Sequence, residues 1–132
     1  MKTVLIVDDA VTVRLYHREL MEALGHAVIE AENGVEGLER MTSADIDLML
    51  VDVNMPKMDG YRFVQAVRGD ARLGQVPIVM ISTEAQYHDR ARAFSAGANL
   101  YLIKPTEPEY LQQLVTLLLT PPEPLSAEGG AR

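Results

Sequence analysis

Short apolar runs recur along this chain and alternate with stretches of helical periodicity. Continuously apolar runs predict strands that are buried on both faces, and the stretches between them predict helices. Five βα units of this kind predict an α/β fold, in which helices cover both faces of a five-stranded parallel sheet. The predicted strands are Thr3–Val7, Ala27–Ala31, Ile46–Val51, Pro77–Ile81 and Leu100–Ile103.

The first predicted helix has the clearest signals. Apolar residues recur at helical spacing from Val13 to Leu24, and Gly25 follows as a stop signal. His17 lies on the apolar face, and the three histidines lack the spacing of a zinc site, so we expect His17 to be packed and not catalytic. Further helices are predicted around Val35–Met41 and at Tyr61–Arg68, Glu84–Ser95 and Glu107–Leu119.

The composition argues against several classes of protein. A length of 132 residues predicts a single domain, and the lack of cysteine excludes a disulfide scaffold, a thiolate zinc site and a cysteine nucleophile. A net charge of −7 without a basic stripe argues against nucleic-acid binding. The apolar runs are shorter than the roughly 20 residues that span a bilayer, and the first run is too short for a signal peptide and lacks a small-residue cleavage site. We therefore expect a cytoplasmic protein without membrane insertion.

The end of the chain differs in composition from the rest. Residues 120–132 include three prolines and two glycines, which is typical of a mobile terminus. We therefore predict a folded domain over residues 1–119 and a flexible tail over residues 120–132. A linker to a further domain is the alternative interpretation of this tail.

Polar residues follow four of the predicted strands. In an open α/β sheet, ligands bind outside the carboxyl ends of the strands, so we expect these residues on one rim. Close carboxylates raise one another's pKa, and a hard cation such as Mg²⁺ relieves their repulsion. Phosphoryl transfer to an aspartate needs carboxylates that bind a metal, a carboxylate that attacks phosphorus, a hydroxyl and an ammonium. The residues at this rim match that set. The residues are Asp8 and Asp9 after the first strand, Asp52 and Asn54 after the third, Ser82 and Thr83 after the fourth, and Lys104 after the fifth.

Four motifs carry a family resemblance. They are LIVDDA at the first strand, VDVNMPKMDG at the third, MISTEA at the fourth and YLIKP at the fifth. With these motifs in this order, residues 3–119 resemble the receiver domain of two-component response regulators, and in particular its single-domain chemotaxis members. The resemblance implies a doubly wound, flavodoxin-like sheet with strand order 2-1-3-4-5 and five helices.

The resemblance also implies roles for the rim residues. Asp52 is the expected phosphoacceptor, and Lys104 is expected to pair with a phosphoryl oxygen. Asp8, Asp9, the carboxylate of Asp52 and the backbone carbonyl of Asn54 are the expected ligands of Mg²⁺, with Mn²⁺ as the alternative metal.

A second group of residues is implied to change conformation. Ser82 is the expected switch hydroxyl, and Tyr101 is the expected aromatic residue that moves inward with it. The bond between Lys104 and Pro105 is expected to be cis. Ser82 departs from the more frequent threonine, Thr83 stands where a small residue is common, and the Thr-Glu-Pro sequence of residues 106–108 leaves the start of the last helix open.

The last helix carries more leucines than one buried face needs. Leu117 and Leu119 are left over once a face of Leu111, Leu114, Val115 and Leu118 is buried. We expect them either to lie under the tail or, together with Tyr101, to form a partner surface. The chain is then either a monomer or a dimer that forms on phosphorylation.

The resemblance implies a phosphorylation switch. A sensor histidine kinase would transfer the phosphoryl group from its phosphohistidine, and the chain would assist its own dephosphorylation without acting as a separate enzyme. The phosphorylated form would bind a flagellar switch protein or a phosphotransfer protein. The alternatives are a phosphorelay shuttle or phosphate sink, a flavodoxin-like cofactor-binding module, and a phosphatase of the haloacid dehalogenase type. The last of these needs a second acid where Asn54 stands.

Overall fold

The structure is a computed structural model that describes residues 1–121. Five parallel strands form one sheet in the order β2-β1-β3-β4-β5, which confirms the predicted fold class and strand order. The strands are β1 (Thr3–Val7), β2 (Ala27–Ala31), β3 (Leu48–Asp52), β4 (Ile78–Ser82) and β5 (Leu100–Ile103). The helices are α1 (Val11–Ala23), α2 (Gly34–Thr42), α3 (Gly60–Arg68), α4 (Tyr87–Ala96) and α5 (Pro108–Leu119).

The central strands are buried on both faces, as their continuous apolar sequences predict. Successive side chains of a strand point to opposite faces, so β1 contributes to two separate clusters. Leu5 and Val7 pack with residues of α2, α3 and α4, whereas Val4 and Ile6 pack with residues of α1 and α5. The sheet is therefore held between two apolar layers, and its carboxyl edge is left free for polar side chains.

Two strands are shifted toward the carboxyl end relative to the prediction. β3 begins at Leu48 and includes Asp52, because its register pairs Leu48 with Val4 and Asp52 with Ile81. β4 likewise begins after Pro77 and includes Ser82. The polar residues expected just beyond these strands are therefore their last residues, so the sheet itself fixes their backbone positions.

Helix α4 begins at Tyr87, later than the predicted start at Glu84. The backbone N–H of Glu84 donates instead to the hydroxyl of Ser82, at 3.0 Å. The helix starts where the carboxylate of Asp89 accepts a hydrogen bond from the N–H of Gln86, at 3.2 Å, which satisfies a free donor at the helix N-terminus. Residues 83–86 are thus a loop that leads away from the carboxyl edge.

The start of the last helix, which the sequence left open, is at Pro108. Proline suits the first helical turn, because its missing N–H would have no partner there. Glu107 precedes it and accepts a hydrogen bond from the N–H of Tyr110, at 3.2 Å. The peptide bond between Lys104 and Pro105 is cis, as expected.

The loop between β3 and α3 runs close to the end of β3 and requires a glycine. The N–H of Gly60 donates to the carbonyl of Val53, at 2.8 Å, and a Cβ atom on Gly60 would lie 2.1 Å from the carbonyl oxygen of Asp52. Asp59 accepts a hydrogen bond from the N–H of Arg62 and so caps α3. This turn fixes the chain on one side of Asp52.

Within residues 1–121, no helix combines the length and the apolar character that a membrane span requires. The predicted tail lies outside the described residues from residue 122 onward.

Candidate functional site

Four neighbouring strands bring the predicted site residues to one edge of the sheet. Asp8 follows β1, Asp52 ends β3, Ser82 ends β4 and Lys104 follows β5. These strands lie side by side in the order β1-β3-β4-β5, so their carboxyl ends meet although the residues are far apart in sequence. The edge also includes the β1/β3 boundary, where the strand order reverses.

Three carboxylates form a cluster at this edge. Oxygen atoms of Asp8, Asp9 and Asp52 lie within 4.8 Å of one another. Asp8 and Asp52 are buried, whereas Asp9 is exposed. Asp8 is also fixed by a hydrogen bond that its Oδ1 atom accepts from the N–H of Ala10, at 2.9 Å. An all-oxygen donor set with one side open to water suits a hard cation that retains water ligands, such as Mg²⁺.

Lys104 lies between the two buried carboxylates. Its Nζ atom donates to Oδ2 of Asp8 at 2.8 Å and to Oδ1 of Asp52 at 3.0 Å. Burial alone would lower the pKa of Lys104, but the two carboxylates outweigh it and raise that pKa. The ammonium therefore stays charged. Its backbone is held as well, because the N–H of Lys104 donates to the carbonyl of Ser82 at 2.8 Å.

The carboxyl group of Asp52 is destabilised in its ionised form. Burial, and then repulsion from Asp8, raise the pKa of Asp52 to about 6, although the hydrogen bond from Lys104 opposes the shift. The three carboxylates and Lys104 together carry a formal charge of −2, which a divalent cation would balance. The electrostatics of the site thus favour a cation where the carboxylates meet.

Ser82 and Tyr101 both contact the backbone of Glu84. The Oγ atom of Ser82, which is fully buried, accepts a hydrogen bond from the N–H of Glu84 at 3.0 Å. The hydroxyl of Tyr101 donates to the carbonyl of Glu84 at 2.7 Å. Tyr101 is only 4% exposed, so in this structure its side chain points inward. The two predicted switch residues are therefore connected through one peptide segment.

Glu84 is a site residue that the sequence interpretation missed. The side-chain amide of Asn54 donates to Oε1 of Glu84 at 3.5 Å, across the mouth of the site. The sequence held a signal for this contact. Asn54 lies two positions after Asp52, the last residue of β3, and Glu84 lies two positions after Ser82, the last residue of β4. Asn54 is exposed. Metal ligation by its backbone carbonyl stays a prediction.

The three residues of the predicted partner surface differ in exposure. Leu117 is 70% exposed, but Tyr101 is buried. Leu119 is partly buried and packs against the cluster between the sheet and α1 and α5, so the expectation that it is left over from the buried face was wrong. It lies four residues after buried Val115 and therefore on the same helical face.

Helix α1 contributes contacts that the sequence did not indicate. Its buried Arg14 donates to the carbonyl oxygen of Asp8 at 2.7 Å and pairs with Glu30 of β2 at 2.9 Å. His17 is buried, as predicted, and its Nε2 atom lies 3.3 Å from the hydroxyl of Thr106. The helix thus contacts segments on both sides of the Lys104–Asp8 ion pair.

Comparison with protein-family models identifies the family of this chain. Residues 4–116 match the model of the response regulator receiver domain. This chain belongs to that family. The receiver domain accounts for most of the chain, and its motifs coincide with the polar edge described above.

Curated relatives of this receiver domain include chemotaxis proteins. The chain is 38% identical over 117 residues to the chemotaxis protein CheY1 of Helicobacter pylori, a match that covers 87% of this chain and 94% of that protein. It is 37% identical to the chemotaxis protein CheY homolog of Campylobacter jejuni, over 83% of this chain and 85% of the relative. It also resembles part of the sensor histidine kinase CheAY of Helicobacter pylori, with 39% identity over 14% of that protein.

Solved structures of receiver domains superpose closely. The chemotaxis protein CheY4 of Vibrio cholerae has a TM-score of 0.85 and 34% identity, over 90% of this chain and 99% of that one. A response regulator from Chloroflexus aurantiacus gives the same TM-score and identity, over 89% of this chain and 97% of the other. Sequence and fold therefore agree that this is a receiver domain of the CheY type.

Proposed function

We propose that this receiver domain is a phosphorylation switch in which Asp52 accepts a phosphoryl group from the phosphohistidine of a sensor histidine kinase. The observation that carries the proposal is the position of Lys104, which bonds to buried Asp8 and Asp52 while Asp9 faces water. This edge presents a carboxylate that can attack, a cation beside it and an open side for a donor. Phosphoryl transfer depends mainly on such positioning and charge neutralisation.

The metal requirement follows from the donor set. Asp8, Asp9, the carboxylate of Asp52 and the backbone carbonyl of Asn54 would hold Mg²⁺, or Mn²⁺ in its place. When bound, the ion would supply positive charge that offsets the charge of the transferred phosphoryl group. The clustered carboxylate oxygens and the excess negative charge of the site support this assignment.

The transfer step uses residues of this chain. A carboxylate oxygen of Asp52 attacks phosphorus, so a P–O bond forms while the P–N bond to the donor imidazole breaks, and the imidazole leaves. Lys104 already contacts an oxygen of Asp52 and would pair with an oxygen of the arriving phosphoryl group. Later attack by water on phosphorus would release phosphate and restore the carboxylate, so no separate substrate is expected.

The switch follows from the hydrogen bonds to Glu84. The hydroxyl of Ser82 would turn to donate to a phosphoryl oxygen and would then release the N–H of Glu84. Tyr101, bonded to the carbonyl of the same residue, would follow the loop that leads into α4. Phosphorylation would thereby shift an existing equilibrium between two arrangements of this loop.

The relatives support a role in chemotaxis. Several are named chemotaxis proteins, so we assign a flagellar switch protein as the downstream partner and the cytoplasm as the site of action. Leu117, exposed on α5, would belong to the partner surface. Binding of the phosphorylated chain to a histidine phosphotransfer protein instead would indicate a phosphorelay shuttle or phosphate sink with the same chemistry.

Incubation with acetyl phosphate tests the chemistry without a kinase. With Mg²⁺, the wild-type chain should gain one phosphoryl group by intact-mass spectrometry, and EDTA should prevent the gain. Asp52→Asn should abolish it, whereas the matched control Asp59→Asn, which keeps a capping side chain on α3, should not. Phosphorylation of the Asp52→Asn variant at the wild-type rate would overturn the proposal.

A further inference from the structure

Two adjacent side chains of α1 contact the segment that follows Lys104. The hydroxyl of Tyr16 donates to the carbonyl oxygen of Thr106 at 2.7 Å. The Nε2 atom of His17 lies 3.3 Å from the hydroxyl oxygen of Thr106. His17 and Thr106 are 3% and 6% exposed, so little water competes for this second contact. The carbonyl and the hydroxyl of Thr106 are thus both bound to α1.

The protonation state of His17 suits this contact. Burial, with a smaller contribution from Lys104, lowers the pKa of His17 to about 4, although Asp8 opposes the shift. The ring is therefore neutral at physiological pH, and one ring nitrogen can exchange a hydrogen bond with the hydroxyl of Thr106. A neutral ring also adds no positive charge near the Lys104 ammonium.

Thr106 is two residues beyond Lys104, which is anchored on its other side by the sheet. The N–H of Lys104 donates to the carbonyl of Ser82 in β4, and α1 binds the chain at Thr106. The same helix binds the carbonyl of Asp8 through Arg14 at 2.7 Å. Helix α1 therefore fixes the backbone near both partners of the 2.8 Å Lys104–Asp8 ion pair.

We propose that Tyr16 and His17 are positioning residues that act through Thr106 to hold the Lys104 ammonium where the phosphoryl group arrives. The proposal rests on the proposed function, because it concerns the phosphoryl site of that reaction. The contacts do not involve the acidic cluster, which is carried by β1 and β3. Loss of the contacts should therefore weaken binding of a phosphoryl group and should not weaken binding of the metal.

Substitutions at Thr106 separate this role from simple packing. Thr106→Val keeps the shape and removes the hydroxyl, whereas Thr106→Ser keeps the hydroxyl. Beryllofluoride, a phosphoryl mimic, is titrated by calorimetry at saturating Mg²⁺, and Mg²⁺ is titrated alone. Thr106→Val should weaken beryllofluoride binding about fivefold, the effect of one lost hydrogen bond. Thr106→Ser should bind it like the wild type, and neither variant should bind Mg²⁺ more weakly than the wild type.

A second pair of variants guards against a folding defect in Thr106→Val. Tyr16→Phe removes one hydroxyl from a half-buried side chain and should also weaken beryllofluoride binding without lowering Mg²⁺ affinity. In a cycle of His17→Leu with Thr106→Val, the double variant should bind the mimic no more weakly than the weaker single variant, because both changes remove the same contact.

The outcomes distinguish the two proposals. If the wild type binds beryllofluoride and Thr106→Val and Tyr16→Phe bind it equally well, the positioning role is overturned while the proposed function stands. Equal losses of mimic and Mg²⁺ affinity would also overturn it, since they would indicate general disorder of the site. If the wild type itself fails to bind the mimic in the presence of Mg²⁺, the proposed function is overturned and the positioning role with it.

Discussion

The Nζ atom of Lys104 lies 3.0 Å from Oδ1 of Asp52, so a positive charge occupies one side of the carboxylate cluster. Lys104→Met should strengthen Mg²⁺ binding, because it removes a cation that repels the metal, and should weaken beryllofluoride binding, because it removes a partner of the phosphoryl group. Calorimetric titration measures both affinities. The control is Lys2→Met, which removes the same charge at the start of the chain and should change neither the Mg²⁺ affinity nor the beryllofluoride affinity. If Lys104→Met raised both affinities or lowered both, the assigned role would be contradicted.

The raised pKa of Asp52 predicts a more stable Asp52→Asn variant in the absence of metal. Since the folded-state pKa is about 6 and the ordinary value is 3.8, ionisation of Asp52 destabilises the wild type, and this cost is fully present above about pH 6. The variant should gain on the order of 1 to 2 kcal/mol at neutral pH. Denaturant unfolding in EDTA measures the gain.

The pH dependence of that gain checks its cause. The advantage of Asp52→Asn should shrink as the pH falls from about 6 and vanish below 3.8, where the wild-type carboxyl is protonated in both states. Saturating Mg²⁺ should also remove it, because the ion stabilises the wild-type carboxylate. A gain that is independent of pH would point to packing and not to charge.

The lowered pKa of His17 predicts a pH dependence of stability opposite to that caused by Asp52. Its folded-state pKa is about 4, below the ordinary 6.5, mainly because of burial. The unfolded chain therefore takes up a proton first, and the contribution of His17 to the stability of the wild type should fall as the pH drops from 6.5 toward 4, by on the order of 3 kcal/mol. His17→Gln should flatten this part of the profile of unfolding free energy. The matched control His88→Gln, at a largely exposed position, should not flatten it.

Gly60 should tolerate no side chain. A Cβ atom at this position would lie 2.1 Å from the carbonyl oxygen of Asp52, so Gly60→Ala must displace either the loop or the end of β3. We expect a loss on the order of 2 to 3 kcal/mol in unfolding free energy together with weaker Mg²⁺ binding. The control is Gly69→Ala, whose added Cβ would meet nothing closer than 3.6 Å and which should leave Mg²⁺ affinity unchanged.

The two leucines near the end of α5 should behave differently. Leu119→Glu should destabilise the fold, because Leu119 packs against the core, whereas Leu117→Glu should not, because that side chain is 70% exposed. Thermal unfolding compares the two. Light scattering with and without beryllofluoride then tests self-association; a phosphoryl-mimic dimer that Leu117→Glu leaves intact would exclude Leu117 from that surface.

The sequence predicts the strands well because their burial demands continuous apolar runs, and it places the rim residues because parallel strands end at one edge. Helix starts are harder, since α4 begins where Asp89 and Gln86 bond and not at the first suitable residue. The assignment of Leu119 failed because α5 packs Leu119, together with Leu111, Val115 and Leu118, against the core. The contacts of Tyr16 and His17 with Thr106 join α1 to a distant loop, and local sequence patterns do not encode such pairs.

The site of phosphorylation tests the proposed function most directly. After treatment with acetyl phosphate and Mg²⁺, reduction with borohydride converts a phosphorylated aspartate to homoserine, which peptide mass spectrometry locates. We expect homoserine at position 52 and unmodified aspartate at positions 8, 9 and 59. Homoserine at any of those three positions, with Asp52 unmodified, would contradict the proposed function.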